Sequence, residues 1–210
     1  MQILVIPTAD TVREPWANGL GWTREIARSA GEGWIWRLSL AEGSGAARFS
    51  DFTGVERALF LLRGRSLELA FEDGEQVVLE PGDWFRFSGG RSVIGTPEAI
   101  TEQLNLMWRP ESVRVGWSLL EGRAVLAGTL PPGAVRIWHV VAGELSIDDR
   151  HFGPDTTVIV EARQAEEYAL SLAGKAIELT LAGADRQESS EEGLPSRWDL
   201  CHTASTRSKQ

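Results

Sequence analysis

The sequence predicts an all-β protein built from two copies of one β unit. Short apolar runs are bounded by Gly, Asp and Pro turns at regular intervals, the mark of strands in barrels or sandwiches. Several runs alternate strictly: Trp34, Trp36, Leu38 and Leu40 fall on one face and Ile35, Arg37 and Ser39 on the other. The third observation is a repeat. Arg57 opens RALFLLRGRSLELAFEDGEQVVLEPGDWFRFSGG, and Arg136 opens RIWHVVAGELSIDDRHFGPDTTVIVEA. In both, an arginine leads an apolar strand to a glycine seven residues on, Gly64 or Gly143. An alternating strand, an acidic turn, a Gly and Asp pair near Asp83 or Asp155 and another apolar strand follow. The glycines lie 143 − 64 = 79 residues apart, which sets a period of roughly 80 residues.

In chain order, Ile3 to Ile6 reads as a strand and Asp10 to Pro15 as a turn region. Trp16 to Gly21 is a loop with demanding backbone angles. Thr23 to Ala30 fits either a helical turn or a short strand, and Trp34 to Leu40 is a strand. Ala41 to Ala47 is a small-residue loop, and the first repeat unit begins at Arg57. Gln103 to Arg109 is a strand that puts Gln103, Asn105 and Met107 on one face, as a polar barrel interior or a solvated surface would. Glu111 to Ala127 continues as strand and turn, and Ala165 to Leu181 supplies two last strands. The expected division is 1–110 for a first barrel with the pocket, 111–183 for a second β unit and 184–210 for a polar tail. Few short helices are expected.

Composition narrows the function. The 210 residues are 42% hydrophobic and 24% charged, ordinary for globular protein, with no apolar run long enough for a membrane helix. A net charge of −9 argues against nucleic acid and anionic membranes as partners, but not against a small anion held in a local pocket. One cysteine, Cys201, excludes an internal disulfide and suits the cytoplasm. Nine Trp against one Tyr point to large cavities to fill.

The β unit resembles a cupin: strand, central Gly, strand, PGD, strand. A metal-binding cupin carries a glutamate seven residues before that Gly and histidines nearby. Here the glutamate slot holds Arg57 in one unit and Arg136 in the other, and the histidine slots fall near Ser50 to Thr53 and near Ser92. His139, His151 and His202 are scattered. The expectation is therefore no bound metal and no cofactor. An arginine in place of a carboxylate inverts the site's preference, since a buried guanidinium wants an anion and its planar fork suits a carboxylate. Arg57 either pairs with Glu25, Asp51 or Glu56, or awaits an anionic ligand. Asn18, Thr23 and Glu25 are candidate hydrogen-bonding groups, or satisfy their own loop. Glu25 is the one weak candidate for a general base, or is ion-paired to a nearby arginine. Trp36 is a pocket wall or core. Ser39 and Ser50 have no histidine in sequence reach and make no nucleophile. His139 reads as a satisfied core histidine and Cys201 as inert.

The segments PWANGLGWTREIA, WIWRLSLAEGSGAARFSDFTGVERALFLLRG and QLNLMWRP together resemble the HutD/Ves family, well over residues 2–110 and by architecture beyond. The patterns WxNGxGxTRE, WRxSxAxxxxxxxFSxFxGxxR and LNxMxR are specific in combination. The resemblance implies a bicupin of two stacked barrels without a catalytic metal. Its histidine-utilisation members are associated with the operon for histidine breakdown, where a regulatory role sensing an N-formylglutamate-like anion has been suggested. It carries over to Trp16, Asn18, Gly19, Gly21, Thr23, Arg24, Glu25, Trp36, Arg37, Ser39, Phe49, Ser50, Phe52, Gly54, Arg57, Asn105 and Met107. Leu20, Trp22 and Gln103 depart from the pattern, and the loss of an acid at Gln103 makes the pocket less negative.

The expectation is a metal-independent binding protein for a small anionic metabolite, a sensor or regulator. Its site would be Arg57, Asn18, Thr23, Glu25, Trp36, Ser39, Ser50, Phe52, Asn105 and Met107. The rivals are an isomerase or hydrolase using Glu25 and Arg57, and a protein-interaction module with a vestigial pocket. A homodimer through edge strands is compatible with such barrels.

Overall fold

The computed structural model describes residues 2–31 and 33–184. Regular structure in that span is β-strand apart from one 3₁₀ turn, Thr8–Asp10. The chain forms two compact units, which among the described residues are 11–111 in one and 2–10 with 112–184 in the other.

The first strand, β1 (Gln2–Pro7), belongs to the second of these. Within 11–111 come β2 (Arg13–Pro15), β3 (Gly21–Arg28), β4 (Trp36–Gly43), β5 (Ala47–Arg48), β6 (Glu56–Arg63), β7 (Leu67–Phe71), β8 (Gln76–Leu79), β9 (Trp84–Ser88), β10 (Val93–Pro97) and β11 (Thr101–Trp108). They make a sheet of order β2-β3-β4-β11-β6-β9 and another of order β5-β10-β7-β8. Leu59, Leu61 and Phe87 from the first sheet pack with Leu67, Leu69, Phe71, Leu79 and Val93 from the second, so the core of this unit lies between the sheets. Alternation places these residues on one face of each strand, as the pleat requires.

The other unit is one six-stranded sheet. It contains β12 (Val113–Leu130), β13 (Val135–Ile147), β14 (Arg150–Phe152), β15 (Thr156–Glu161) and β16 (Glu166–Gly183), in the order β1-β15-β13-β16-β12 with β14 on β13. Trp138, Val140, Leu145, Ile147, Val158, Val160, Tyr168, Leu170 and Leu172 form its core. Gly122, Gly174 and Gly143 stand side by side across β12, β16 and β13. All three have positive φ, at 87°, 153° and 77°. A Cβ on Gly143 would lie 2.7 Å from the Gly174 Cα and collide with the Ala173 carbonyl. Only glycine permits this line of close backbone approach.

The repeat is realised. Gly64 and Gly143 both have positive φ, 119° and 77°, and each follows or interrupts the strand that its arginine opens. In one unit the strand ends there, and in the other it runs on. The expected two strands over Ala165 to Leu181 are thus the single β16, and Glu111 to Ala127 is most of β12. The expected boundary also changes at the N-terminus. β1 pairs antiparallel with β15, Leu4 opposite Ile159, because its apolar residues complete the core beside Val158 and Val160. Of Thr23 to Ala30, the part up to Arg28 is strand, within β3, with a bulge between Glu25 and Ala27. The 184–210 tail, with Cys201, His202 and Trp198, lies outside the described residues beyond Ala184.

Candidate functional site

Register assembles the site on the inner face of the six-stranded sheet in unit 11–111. One row runs across four strands: Arg37 on β4, Met107 on β11, Arg57 on β6 and Phe87 on β9. The next row holds Glu25 on β3, Ser39, Asn105, Leu59 and Phe85. A third holds Thr23, Ala41, Gln103 and Leu61. Leu59 and Leu61 are core residues between the sheets, so this face is the interior. Polar side chains lie among them: Ser39, Gln103, Asn105 and Arg57 are all buried.

Arg57 is 6% exposed, and no described carboxylate pairs with it. Its Nε is buried without a hydrogen-bond partner. Phenylalanine rings surround the guanidinium, with its Cζ 4.9 Å from the centroid of Phe49, 5.1 Å from Phe87 and 6.0 Å from Phe52. Their π faces favour a cation but supply no charge. Burial, aided by the nearby Arg37 charge, pushes the Arg57 pKa down from its ordinary value to about 10. That shift corresponds to about 3 kcal/mol of unfavourable charge burial at neutral pH. Diagonally across from Arg57 on β11, Asn105 Oδ1 is also buried and unpartnered. Two adjacent polar groups without partners in an apolar interior are costly unless something else supplies the bonds.

The carboxylates expected as partners for Arg57 are committed elsewhere. Glu25 accepts from Arg37 Nε at 2.7 Å and lies 3.4 Å from Arg28 Nε. Glu56 pairs with Arg86 at 2.9 Å. Asp51 is exposed and accepts from Thr53. Glu25 is therefore a structural ion-pair member, which leaves the acid–base role without a free carboxylate at that position.

The sequence-derived list divides. Arg57, Asn105, Ser39, Met107, Glu25 and Thr23 share the inner face, and Phe52 reaches it from the loop before β6. Thr23 accepts a hydrogen bond from Trp16 Nε1 at 2.8 Å. Trp36 does not share this face. It pairs with Trp108, one residue out of phase with Arg37 and Met107, so it buries on the opposite side of the sheet. Asn18 is exposed and accepts from the Leu20 N–H at 3.0 Å, holding its own loop. Ser50 is an exposed loop residue. Gln103 lies on the inner face with Asn105 and Met107, as alternation expected, whereas Phe87 on that face and Phe49 as the ring nearest Arg57 were not expected from spacing. The Phe87 register needed the fold.

Of the histidines, His139 is fully buried with Nδ1 2.9 Å from Thr157 Oγ1, and His151 is an exposed neighbour of Ser146 and Glu144. Among the described residues no three His, Cys, Asp or Glu side chains cluster as metal ligands would. No helix is long and apolar enough to cross a membrane.

Two cupin-type β units in one chain, each with arginine where a metal cupin keeps a carboxylate, define a bicupin. The chain belongs to the HutD family, whose model matches residues 8–188. It is similar to an uncharacterised 21.2 kDa protein in the hutC 3′ region of Pseudomonas putida, 33% identical over 60% of this chain and 68% of that one. It is also similar to protein Ves of Citrobacter koseri, 36% identical over 45% of this chain and 51% of that protein. Among solved structures, HutD from Pseudomonas fluorescens SBW25, described as a formate condition, superposes with a TM-score of 0.79 at 27% identity, covering 88% of this chain and all of that one. The bacterial pirin YhhW of Escherichia coli, in complex with nickel(II), matches at TM-score 0.64 and 9% identity over 87% and 99% of the two chains, a likeness of fold.

Proposed function

We propose that this protein binds a small carboxylate or formyl-amino-acid-like anion at Arg57, and acts as a sensor or regulator linked to histidine utilisation. The observation that carries the reading is a buried guanidinium with no described carboxylate beside it, depressed in pKa by burial. An anion would relieve the charge that burial penalises and supply the missing acceptor for Nε. Asn105 and Ser39 would orient the ligand, while Met107, Phe49, Phe52 and Phe87 would exclude water around the ion pair. The formate condition of the Pseudomonas fluorescens structure is in keeping with a small carboxylate as ligand. The link to histidine utilisation rests on family membership and on the hutC 3′ location of the Pseudomonas putida relative.

The test is a thermal-shift screen against formate, formylated amino acids, other small carboxylates and imidazole intermediates of histidine breakdown, with and without EDTA. A ligand at 100 times its dissociation constant stabilises by about 2.7 kcal/mol. The expected hit is an anion, insensitive to EDTA and absent in Arg57→Ala. A stabilising ligand that Arg57→Ala binds unchanged contradicts the reading.

A further inference from the structure

Resting on Arg57 as the anion anchor, we infer that the site has a second chamber, walled off from the guanidinium by the Phe49 ring, and that this ring sets the length of ligand accepted. A cavity of about 10 Å³ lies among Trp16, Phe49, Leu67, Gly95, Thr101 and Gln103. That is room for about one water, too little for a metabolite. The same Phe49 ring that walls this cavity is the one 4.9 Å from the Arg57 guanidinium. The ring thus borders both the guanidinium and this cavity.

The far chamber is chemically equipped. Gln103 is 3% exposed and donates its amide to the Thr101 hydroxyl. An amide carbonyl oxygen is an acceptor and can take a hydrogen bond from a ligand. Gln103 is opposite Leu61 and Met107 is opposite Arg57, so the two ends are four residues apart on β11. At the rise of a strand that is roughly 13 Å between backbones. Formate cannot touch both ends, but a glutarate-sized dicarboxylate monoamide can, with its carboxylate at Arg57 and its amide N–H at Gln103.

The ring can move at little cost to the backbone. Phe49 follows β5 in a loop, half-buried, with its N–H on the Val93 carbonyl at 3.0 Å. What seats the ring is the missing side chain of Gly95: a Cβ there would stand 2.6 Å from the ring edge. Gly95 has no positive φ, so alanine fits its backbone and displaces the ring instead. Gly95→Ala and Phe49→Ala therefore open the same partition by different routes, and neither touches Arg57 through a hydrogen bond.

Calorimetric titration with formate and with glutaramate, on wild type, Phe49→Ala and Gly95→Ala, tests this. Melting curves identify which variants remain folded. Expected is at least a tenfold rise in the affinity ratio of glutaramate to formate in both variants, reversed by adding Gln103→Leu to Phe49→Ala. Formate binding with a ratio unchanged within threefold in the folded variants overturns the chamber and leaves the anchor standing. Binding of neither probe to wild type or variants overturns the anchor itself, and the chamber with it.

Discussion

Arg57 and Arg136 hold the same place in the repeat, each seven residues before its glycine, and each has a buried Nε without a hydrogen-bond partner, yet of the two only Arg136 has a described carboxylate beside it. Arg136 Nη1 lies 3.5 Å from Glu178 Oε1 and donates to the Tyr168 hydroxyl, while Trp138 Nε1 donates to the same Glu178 oxygen at 3.2 Å. Its charge is neutralised within the unit. Arg57 has three aromatic rings and no described acid. A repeat fixes where a strand and its first residue go. What neutralises that residue depends on the neighbouring strand: β16 brings Glu178 beside Trp138, whereas β11 brings Asn105 and Met107 beside Leu59 and Arg57. One unit gives its arginine a carboxylate, and the other surrounds its arginine with rings.

That contrast can be broken most sharply at Arg57. Arg57→Met should lower affinity for the bound anion by about ten- to hundredfold, the loss of a charge-assisted hydrogen bond of about 1.5–3 kcal/mol. The ligand-free variant should melt no lower than wild type, because a buried unpaired charge is exchanged for an apolar side chain of similar length. Calorimetric titration and thermal unfolding read the two effects separately.

Gly143→Ala should destabilise by about 3 kcal/mol, combining left-handed strain with a Cβ forced against the backbone of β16. Gly19→Ala also has positive φ but open space around it, and should lose only about 1 kcal/mol. Chemical denaturation of both variants compares them directly.

Arg136→Met should destabilise by about 1–3 kcal/mol, since it leaves Glu178 without its cation. The pair is not fully buried, with side chains 23% and 16% exposed, which keeps the loss below that of a fully desolvated pair. Anion binding should be unaffected.

The smallest effect is in pH. The folded pKa of Arg57 lies below its unfolded value, so its charge opposes folding throughout the range below about 10, and the penalty fades as pH rises above about 10. Anion binding needs that proton. Affinity should stay level through neutral pH and fall as pH rises through about 10, and fall also below about 4 as the ligand carboxylate protonates. Titrations across that span read both limbs.

Much of this was legible in the chain. The spacing of Arg57 and Gly64 against Arg136 and Gly143 carried the two-unit fold, because the glycines are fixed by backbone angles that other residues resist. Alternation placed Asn105 and Met107 on one face, where they are buried. Trp36 read as a pocket wall or core, and it is buried on the face opposite Arg57; a residue on an alternating strand gives no sign of which face is the interior when both faces are buried. Asn18 and Glu25 read either as ligand-binding groups or as satisfied within the protein, and only the structure shows the Leu20 N–H and Arg37 as their partners. The Phe49 ring beside Arg57 depends on a contact between a loop and a strand, which periodicity does not encode.

The most direct measurement is a titration of formate into wild type, Arg57→Met and Arg136→Met under one buffer and salt concentration. The account predicts that wild type and Arg136→Met bind alike and that Arg57→Met loses binding. Equal binding in all three, or equal loss in both variants, would contradict the assignment of the anion to Arg57.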